Sequence, residues 1–584
     1  MMSPTIAVYE FGPFRIDMER YLLLRDEETI PLSPKVFETL LYLVQHREKV
    51  AKKEDILNSV WPETFVEESN LAQNIFLLRK ALGEERNEHR YIVTIPGVGY
   101  RFVAPVKEYE ALYKTEKVES GKAVESIAVL PFKNLTGDDT EKFLGPGLAD
   151  SLIMRLSSMR HVKVRPTAAV LKYNHPQQDP LAIGRELNVD ALLDGVYQQE
   201  ADKIRVSVQL VSVKDGITLW AAKFDERFTN IFAIQDSISD QVVRSLALKL
   251  SGDEQRQISQ SYTKSPEAFQ LFIKGRYFWN QRTIDGLKKA LEYAQAAIAA
   301  DPTYAPAYVG LADSYNLLGA QHNVLPPRES FPKAKAAALR ALEIDEMLAE
   351  AYASLAFVEL CYEWNWLAAE QSYRKAIELK PNYPTAHHWY GELLSTLGRF
   401  DEAQEELQKA QEFDPLSLAI NVDLAASYYY SRQYERSERH LLNLLELNPN
   451  FIRAYEVLGR VYEQQGEHVK ALTAWQKAEE LSGKHPVIQA EFAYSLITAG
   501  NISEGRQILA QLEQASTRKY ISLFRIAEIY IALGQHELAH DWLERAFRER
   551  DVEFVFLKVK PTVDPLRGET RFKELAGRVS SALL

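Results

Sequence analysis

Ser69, Asn70, Gln73, Asn74 and Lys80 fall on one side of the stretch 66–82, VEESNLAQNIFLLRKAL. Short hydroxyl and amide side chains beside a cation are suited to hydrogen-bonding base edges in a DNA major groove, which an α-helix fits. A second chemistry is suggested by His536-Glu537-Leu538-Ala539-His540, an H-E-x-x-H pattern. On a helix its histidines share a face and could hold zinc, with Glu537 as general base. Against zinc, Ala539 keeps the register of a repeat, Gly534 marks an inter-helix turn and no third ligand is indicated, so an ordinary surface helix is expected. The same holds for His387-His388. Gly145-Pro146-Gly147 is a lone GxG without the later glycine of a phosphate-binding loop, and is read as the turn that starts a helix. No catalytic set, metal site or cofactor is assigned from these patterns.

The base-reading group needs a helix held by its other face. Leu71, Ile75, Leu78 and Leu82 supply that face, at intervals of four, three and four. Beyond it, residues 91–103 (YIVTIPGVGYRFV) alternate around Pro96-Gly97 and Gly99, as a β-hairpin does. Ahead of it come short strands at 7–11, 14–17 and 21–24. A helix then opens at Ser33-Pro34 and buries Val36, Phe37, Leu40, Leu41 and Val44, and a second helix spans 52–60. Helix followed by hairpin is the order of a winged helix.

Trp61, Asn70-Leu71, Leu78-Arg79-Lys80-Ala81-Leu82 and Gly99-Tyr100-Arg101-Phe102 resemble, in order and spacing, the OmpR/PhoB-type winged-helix domain of ToxR/CadC-like activators. The likeness spans residues 6–106. It implies a third helix in the major groove, with Ser69, Asn70, Gln73, Asn74 and Leu77 at base edges or nearby backbone. It also implies phosphate contacts from Arg79, Lys80, Thr94, Tyr100 and Arg101, with Lys52 and Lys53 added. Two departures matter. Pro96, Phe76 and Leu77 stand where response-regulator members often carry basic residues, and residues 1–107 hold 14 Lys/Arg against 16 Asp/Glu. Affinity per domain should be modest, and a homodimer on repeated half-sites is the natural remedy.

The whole chain, 584 residues with net charge −12, has no global attraction for nucleic acid, so any DNA contact is local. Its single cysteine, Cys361, excludes an intramolecular disulfide and fits a reducing cytoplasm. The amino-terminal residues show no leader pattern, no receiver domain precedes the first strand, and residues 107–124 are too polar to cross a bilayer, so a soluble bacterial protein is expected.

From Pro381, Pro415 and Pro449 onward the chain repeats every 34 residues, with small residues in step at Gly391, Ala425, Gly459, Ala493 and Ala527. That period is the tetratricopeptide repeat, which implies a superhelix offering a groove to a protein or peptide. Between wing and repeats, Ser126–Phe132, Asn134–Asp138, Gly184–Leu187, Leu219-Trp220 and Ile231–Gln235 resemble the TolB N-terminal-like α/β domain.

The expected organisation is multi-domain α and α/β. It places a winged helix-turn-helix at 1–107, a charged linker at 108–125, an α/β domain at 126–252, about eight helix pairs at 265–550 and a cap at 551–584. The function expected is DNA-binding transcription regulation, with protein or peptide input through the repeats and RNA polymerase as a further partner. The alternatives are an interaction scaffold whose winged helix docks a protein and, behind it, a zinc metallopeptidase.

Overall fold

The computed structural model describes all residues except 1–5, 18–21, 26–27, 31, 33, 61–67, 85–87, 111–123, 136–142, 174–178, 201–202, 228–230, 247–261, 321–323 and 582–584. Trp61 and the Ser33 cap lie outside the described residues. The chain divides into two compact units: residues 1–125, 133–137 and 190–259 form one, and residues 126–132, 138–189 and 260–584 the other. The stretch 126–252 thus contributes to both.

The first unit opens with strands β1 (Ile6–Phe11), β2 (Phe14–Asp17), β3 (Leu22–Arg25) and β4 (Glu28–Ile30), then α1 (Pro34–Gln45), β5 (Ala51–Lys52), α2 (Lys53–Val60) and α3 (Glu68–Ala81). The wing is β6 (Ile92–Ile95) and β7 (Gly99–Phe102), and β8 (Lys107–Glu110) returns to β1. Two antiparallel sheets result, in the orders β4-β3-β2-β1-β8 and β5-β7-β6. Leu71, Ile75, Leu78 and Leu82 are at most 3% exposed, so the stripe read from the sequence is the packed one. It meets Phe37, Leu40 and Val44 of α1 in one apolar cluster, which Phe11 and Phe102 join edge to face at 5.0 Å.

After the wing come β9 (Ser126–Val129), β10 (Lys133–Asn134), α4 (Leu144–Leu156), β11 (Lys163–Val164), α5 (Thr167–Val170) and α6 (Pro180–Glu186). They are followed by β12 (Ala191–Glu200), β13 (Lys203–Ser212), β14 (Thr218–Arg227) and α7 (Ile231–Ser245). In the first unit β12, β13 and β14 form an antiparallel meander, and β10 lies parallel to β12. Ile204, Val206, Val208 and Leu210 of β13 are buried at every second position, as its alternation requires.

The second unit is dominated by eight helix pairs among the described residues. These are α8 (Pro266–Asn280) with α9 (Ile284–Ala300), α10 (Ala305–Gly319) with α11 (Pro327–Ile344), α12 (Ala349–Val358) with α13 (Trp366–Leu379), and α14 (Pro384–Thr396) with α15 (Phe400–Phe413). The rest are α16 (Leu418–Tyr430) with α17 (Tyr434–Leu447), α18 (Ile452–Gln465) with α19 (His468–Ser482), α20 (Pro486–Thr498) with α21 (Ile502–Ser516), and α22 (Leu523–Ala532) with α23 (His536–Arg548). Two 3-10 turns, Val552–Phe556 and Pro561–Leu566, lead to α24 (Thr570–Ser581). Among the described residues no helix is long and apolar enough to cross a membrane.

The small residues that mark the period sit where paired helices approach. A Cβ on Gly459 would stand 2.6 Å from the ring of Trp475, which is fully buried and donates its Nε1–H to Glu463 Oε1 at 2.8 Å. Gly147 does the same for the start of the module. It lies in the buried first turns of α4, and a Cβ there would meet Ile273 of α8 at 2.5 Å. The Gly145-Pro146-Gly147 segment is therefore a packing contact within a helix, slightly further inside than the helix-starting turn expected.

Segment 144–188 is held against the repeats by side chains that read its backbone. Asn382 Nδ2 donates to Met159 O at 2.8 Å and Val162 O at 3.2 Å, while Arg165, 3% exposed, donates to Leu187 O, Asn188 O, Glu412 O and Phe413 O. Carbonyls left over at helix and strand ends are thereby satisfied by buried donors.

Candidate nucleic-acid interface

Helix α3 turns one face to the core and the other to solvent. Asn70, Gln73 and Lys80 are exposed, as are Phe76 at 60% and Leu77 at 38%. On the wing and its neighbour strand, Arg101 and Lys52 are exposed and Lys53 is half-buried. The side chain of Ser69 lies outside the described residues. The exposed set offers amide donors and acceptors, an apolar patch able to meet thymine methyl groups, and cations for phosphate.

Four of the expected contacts are committed elsewhere. Asn74 is 8% exposed, and its Nδ2 donates to Lys35 O and Thr39 Oγ1, both at 3.0 Å. It ties α3 to α1 and does not face the groove. Arg79 donates to Ile92 O at 3.0 Å and Thr94 Oγ1 at 2.9 Å, with Glu84 3.8 Å from its Nε. It joins the end of α3 to strand β6, and Thr94 is its acceptor. Tyr100, 7% exposed, lies in the core cluster. The physical reason is common to all: a helix packed against both α1 and the wing has polar seams beside its apolar stripe, and buried amides and guanidinium groups there must be satisfied.

Asn74→Ala removes two buried hydrogen bonds and should destabilise the first unit by about 1–3 kcal/mol. Chemical denaturation followed on the isolated amide signals of α1 and α3 measures it; an unchanged midpoint contradicts the assignment.

Phe76 is not among the contacts the resemblance implies, yet it is exposed beside Leu77, which is. Its spacing, three after Gln73 and six after Asn70, places it on the reading face, and this was the available signal.

Three of the four histidines in the two pairs read from the sequence are buried and the fourth, His536, is half-buried, so they are not the surface groups expected. His387, 5% exposed, has Nδ1 at 2.5 Å from Glu406 Oε2 and Nε2 at 2.8 Å from Pro381 O; His388, 8% exposed, has Nε2 at 2.8 Å from Asp423 Oδ2. In the H-E-x-x-H segment His540 is 2% exposed, and the segment holds the residue just before α24: His536 Nδ1 and His540 Nε2 lie at 2.7 and 2.6 Å from the two oxygens of Glu569. Glu537 points outward to Arg571 at 2.7 Å. Among the described residues the His/Asp/Glu atoms that converge are those of His388, Glu392 and Asp423, within 4.8 Å of one another.

Burial raises several carboxyls of the repeat array. Asp414 and Glu463 are pushed up to about 7, Asp313 and Asp551 up to about 6, and Glu392 upward by burial and by Asp423 beside it. Each holds its proton more tightly folded than unfolded, so its stabilising contribution is complete below the ordinary carboxylate range and is lost as pH rises through the folded value. Carboxyls held low by cations, such as Glu350 beside Lys380, act only in the acid range below that. The array should therefore melt several degrees higher at pH 5.5 than at pH 8, each raised carboxyl contributing on the order of 1 kcal/mol. Circular dichroism melts across this interval check it, and a rising profile would refute it.

The family described as "Transcriptional regulatory protein, C terminal" matches residues 26–102. The family described as "HilA/YgeH-like transcriptional regulator, second domain" matches residues 122–241, the stretch expected to be TolB-like. Tetratricopeptide repeat families match residues 365–420, 422–486 and 520–550. Among similar proteins, Transcriptional regulator HilA of Salmonella typhi is 26% identical over 428 residues, covering 72% of this chain and 74% of that one. A Rhizobium meliloti protein provisionally named adenylate cyclase 3 is 28% identical over 289 residues, 48% of this chain and 42% of its own. The phosphate regulon regulatory protein PhoB of Escherichia coli is 33% identical over 96 residues, 16% of this chain and 42% of its own.

Reading helix, wing and family matches together define a winged-helix, DNA-binding transcriptional regulator. It is of the OmpR/PhoB type, with a HilA-like second domain and carboxyl-terminal tetratricopeptide repeats.

Proposed function

We propose that this regulator reads promoter DNA with Asn70, Gln73, Phe76 and Leu77 of α3, Ser69 beside them, and holds phosphate with Lys80, Arg101, Lys52 and Lys53. The observation that carries the reading is the solvent-facing side of α3, where amides, apolar side chains and Lys80 stand clear of the core stripe. With 14 basic against 16 acidic residues in 1–107, one domain binds weakly, and two copies on repeated half-sites supply the affinity. A protein or peptide engaging the repeats shifts the population competent for DNA, and RNA polymerase is the downstream contact. The chain works in the cytoplasm and catalyses no reaction of its own; the segment shared with the provisionally named cyclase covers less than half of either protein.

Footprinting of the full chain on genomic fragments tests this. Discrete sites sharing a sequence support it; retention that is blind to sequence and vanishes with salt refutes it.

One observation favours a second reading. Phe76 and Leu77 form an exposed apolar patch on the reading helix, as a protein-docking surface would. If Phe76→Ala leaves the footprint intact while abolishing capture of RNA polymerase, the scaffold reading replaces base readout at that position.

A further inference from the structure

A cavity of about 1020 Å³ runs along the inner helices of the repeat array, bounded by Ile153–Lys172 of the module at one part and Val552–Phe556 at another. Its size is at the upper end for small-molecule pockets, roughly 300–1,000 Å³. Most charged groups on its wall are already paired: Arg276 with Asp150 at 3.2 Å, Lys380 with Glu350 at 2.7 Å, Arg453 with Asp423 at 2.7 Å and Arg460 with Glu491 at 2.8 Å.

Among the described residues, three of the groups on the wall that lack such a pairing lie in its central part. Asp414 is 4% exposed, and its Oδ1 accepts no hydrogen bond among the described residues. Glu392 lies beside His388 and Asp423, yet its carboxylate takes part in no hydrogen bond or ion pair among the described residues. Arg282 lies 3.6 Å over the ring of Trp279, and among the described residues its guanidinium makes no hydrogen bond or ion pair, with the carboxyls of Asp313 and Asp414 near enough to act on it electrostatically. Its backbone is held at φ 53°, a conformation that costs energy in a residue with a side chain. Polar groups withdrawn from water with incomplete hydrogen bonding are costly, and a complementary ligand would remove that cost.

We propose that this cavity binds a small zwitterion: an acid group received in-plane by Arg282 above Trp279, and an ammonium received by Glu392 and Asp414. A free α-amino acid and a di- or tripeptide share this chemistry. The assignment rests on reading the repeats as the signal-receiving part of the regulator. A divalent cation on His388, Glu392 and Asp423 is disfavoured, because Arg453 lies at 2.7 and 3.3 Å from the two oxygens of Asp423 and His388 takes a further lone pair at 2.8 Å. A metal ion would sit against that guanidinium.

The test is thermal unfolding of the full chain with each proteinogenic L-α-amino acid, Gly-Gly and Ala-Ala-Ala at millimolar concentration, followed by calorimetric titration of those that protect. At least one zwitterion should raise the melting temperature by several degrees at about a hundredfold excess over its Kd. Its N-acetylated and carboxamide forms should not. Arg282→Met and Glu392→Gln should each weaken binding at least about tenfold while their unliganded melting temperatures stay near that of the wild type, since neither half-buried side chain makes a hydrogen bond or ion pair among the described residues. Protection by amino acids and not by the peptides, or the reverse, identifies the source. The proposal is overturned if no zwitterion in the set protects, if blocked analogues protect equally, if both variants bind normally, or if zinc ion alone protects the wild type and not Glu392→Gln. DNA footprinting of the unliganded chain fails or succeeds independently, so loss of this proposal and loss of the regulatory reading are distinguishable.

Discussion

Lys560→Met should destabilise the repeat array by about 3–5 kcal/mol, the usual consequence of removing one member of a buried ionic set. Lys560 is 1% exposed and donates to Glu528 Oε2 at 3.0 Å and Glu553 Oε2 at 2.9 Å. Glu553 is shared with Arg525 at 2.7 Å, and Arg525 also pairs with Glu491. Beside Arg525 and Lys560 the Glu553 carboxyl is held far below the ordinary range, and burial among cations lowers the Lys560 ammonium. Methionine fills a similar volume, so the loss would come from charge and not from a cavity. It would leave Glu528 and Glu553 enclosed with one cation fewer. Adding Glu553→Gln to the variant should recover part of the loss, because the second change removes a charge the first left exposed to the low-polarity interior. The array's own unfolding transition, followed by far-ultraviolet circular dichroism in urea, reads both. A single-variant shift below about 1 kcal/mol would mean that the set is hydrated and contributes little. The position matters because Lys560 joins the 3-10 turns at 552–566 to α22, and those turns also pack on Trp364 and Tyr430 of earlier repeats, at 5.6 and 4.9 Å between rings.

Asn70→Ala with Gln73→Ala should relax sequence preference, at a cost of roughly 1–3 kcal/mol, or about 5- to 150-fold, at each base the amide reads. Both side chains are exposed, so stability should change by less than about 0.5 kcal/mol. The contrast with Asn74, one position along, makes this informative. Asn74→Ala should lower stability and reduce DNA binding only through the fraction unfolded, leaving the preferred sequence unaltered. Lys80→Ala should weaken all sequences alike and flatten the salt dependence. Binding to a randomised library, measured at two salt concentrations, separates these outcomes. If the Asn70/Gln73 pair leaves the selected motif unaltered, α3 does not read bases through its amides.

Much of this protein was written locally along the chain. The spacing of Leu71, Ile75, Leu78 and Leu82 determined which face of α3 is packed, because a 3.6-residue period leaves few other faces to bury. The 34-residue recurrence of Pro381, Pro415 and Pro449 determined the repeat architecture, because each helix pair hides its apolar side only by stacking on the next. Tertiary structure alone decided where the polar residues beside those stripes point. Asn74 and Gln73 are adjacent amides with the same intrinsic chemistry, and only the approach of α1 buries one of them. His387, His388 and His540 could not be told from surface histidines, since the helices carrying them have partners on more than one side and no periodicity marks the second seam. The packing of segment 144–188 against the repeats, and the placing of Arg282 on one cavity wall with Glu392 and Asp414, join residues more than a hundred positions apart. Charge and hydrogen-bond complementarity at that range depend on three-dimensional juxtaposition, which spacing along a single chain does not encode.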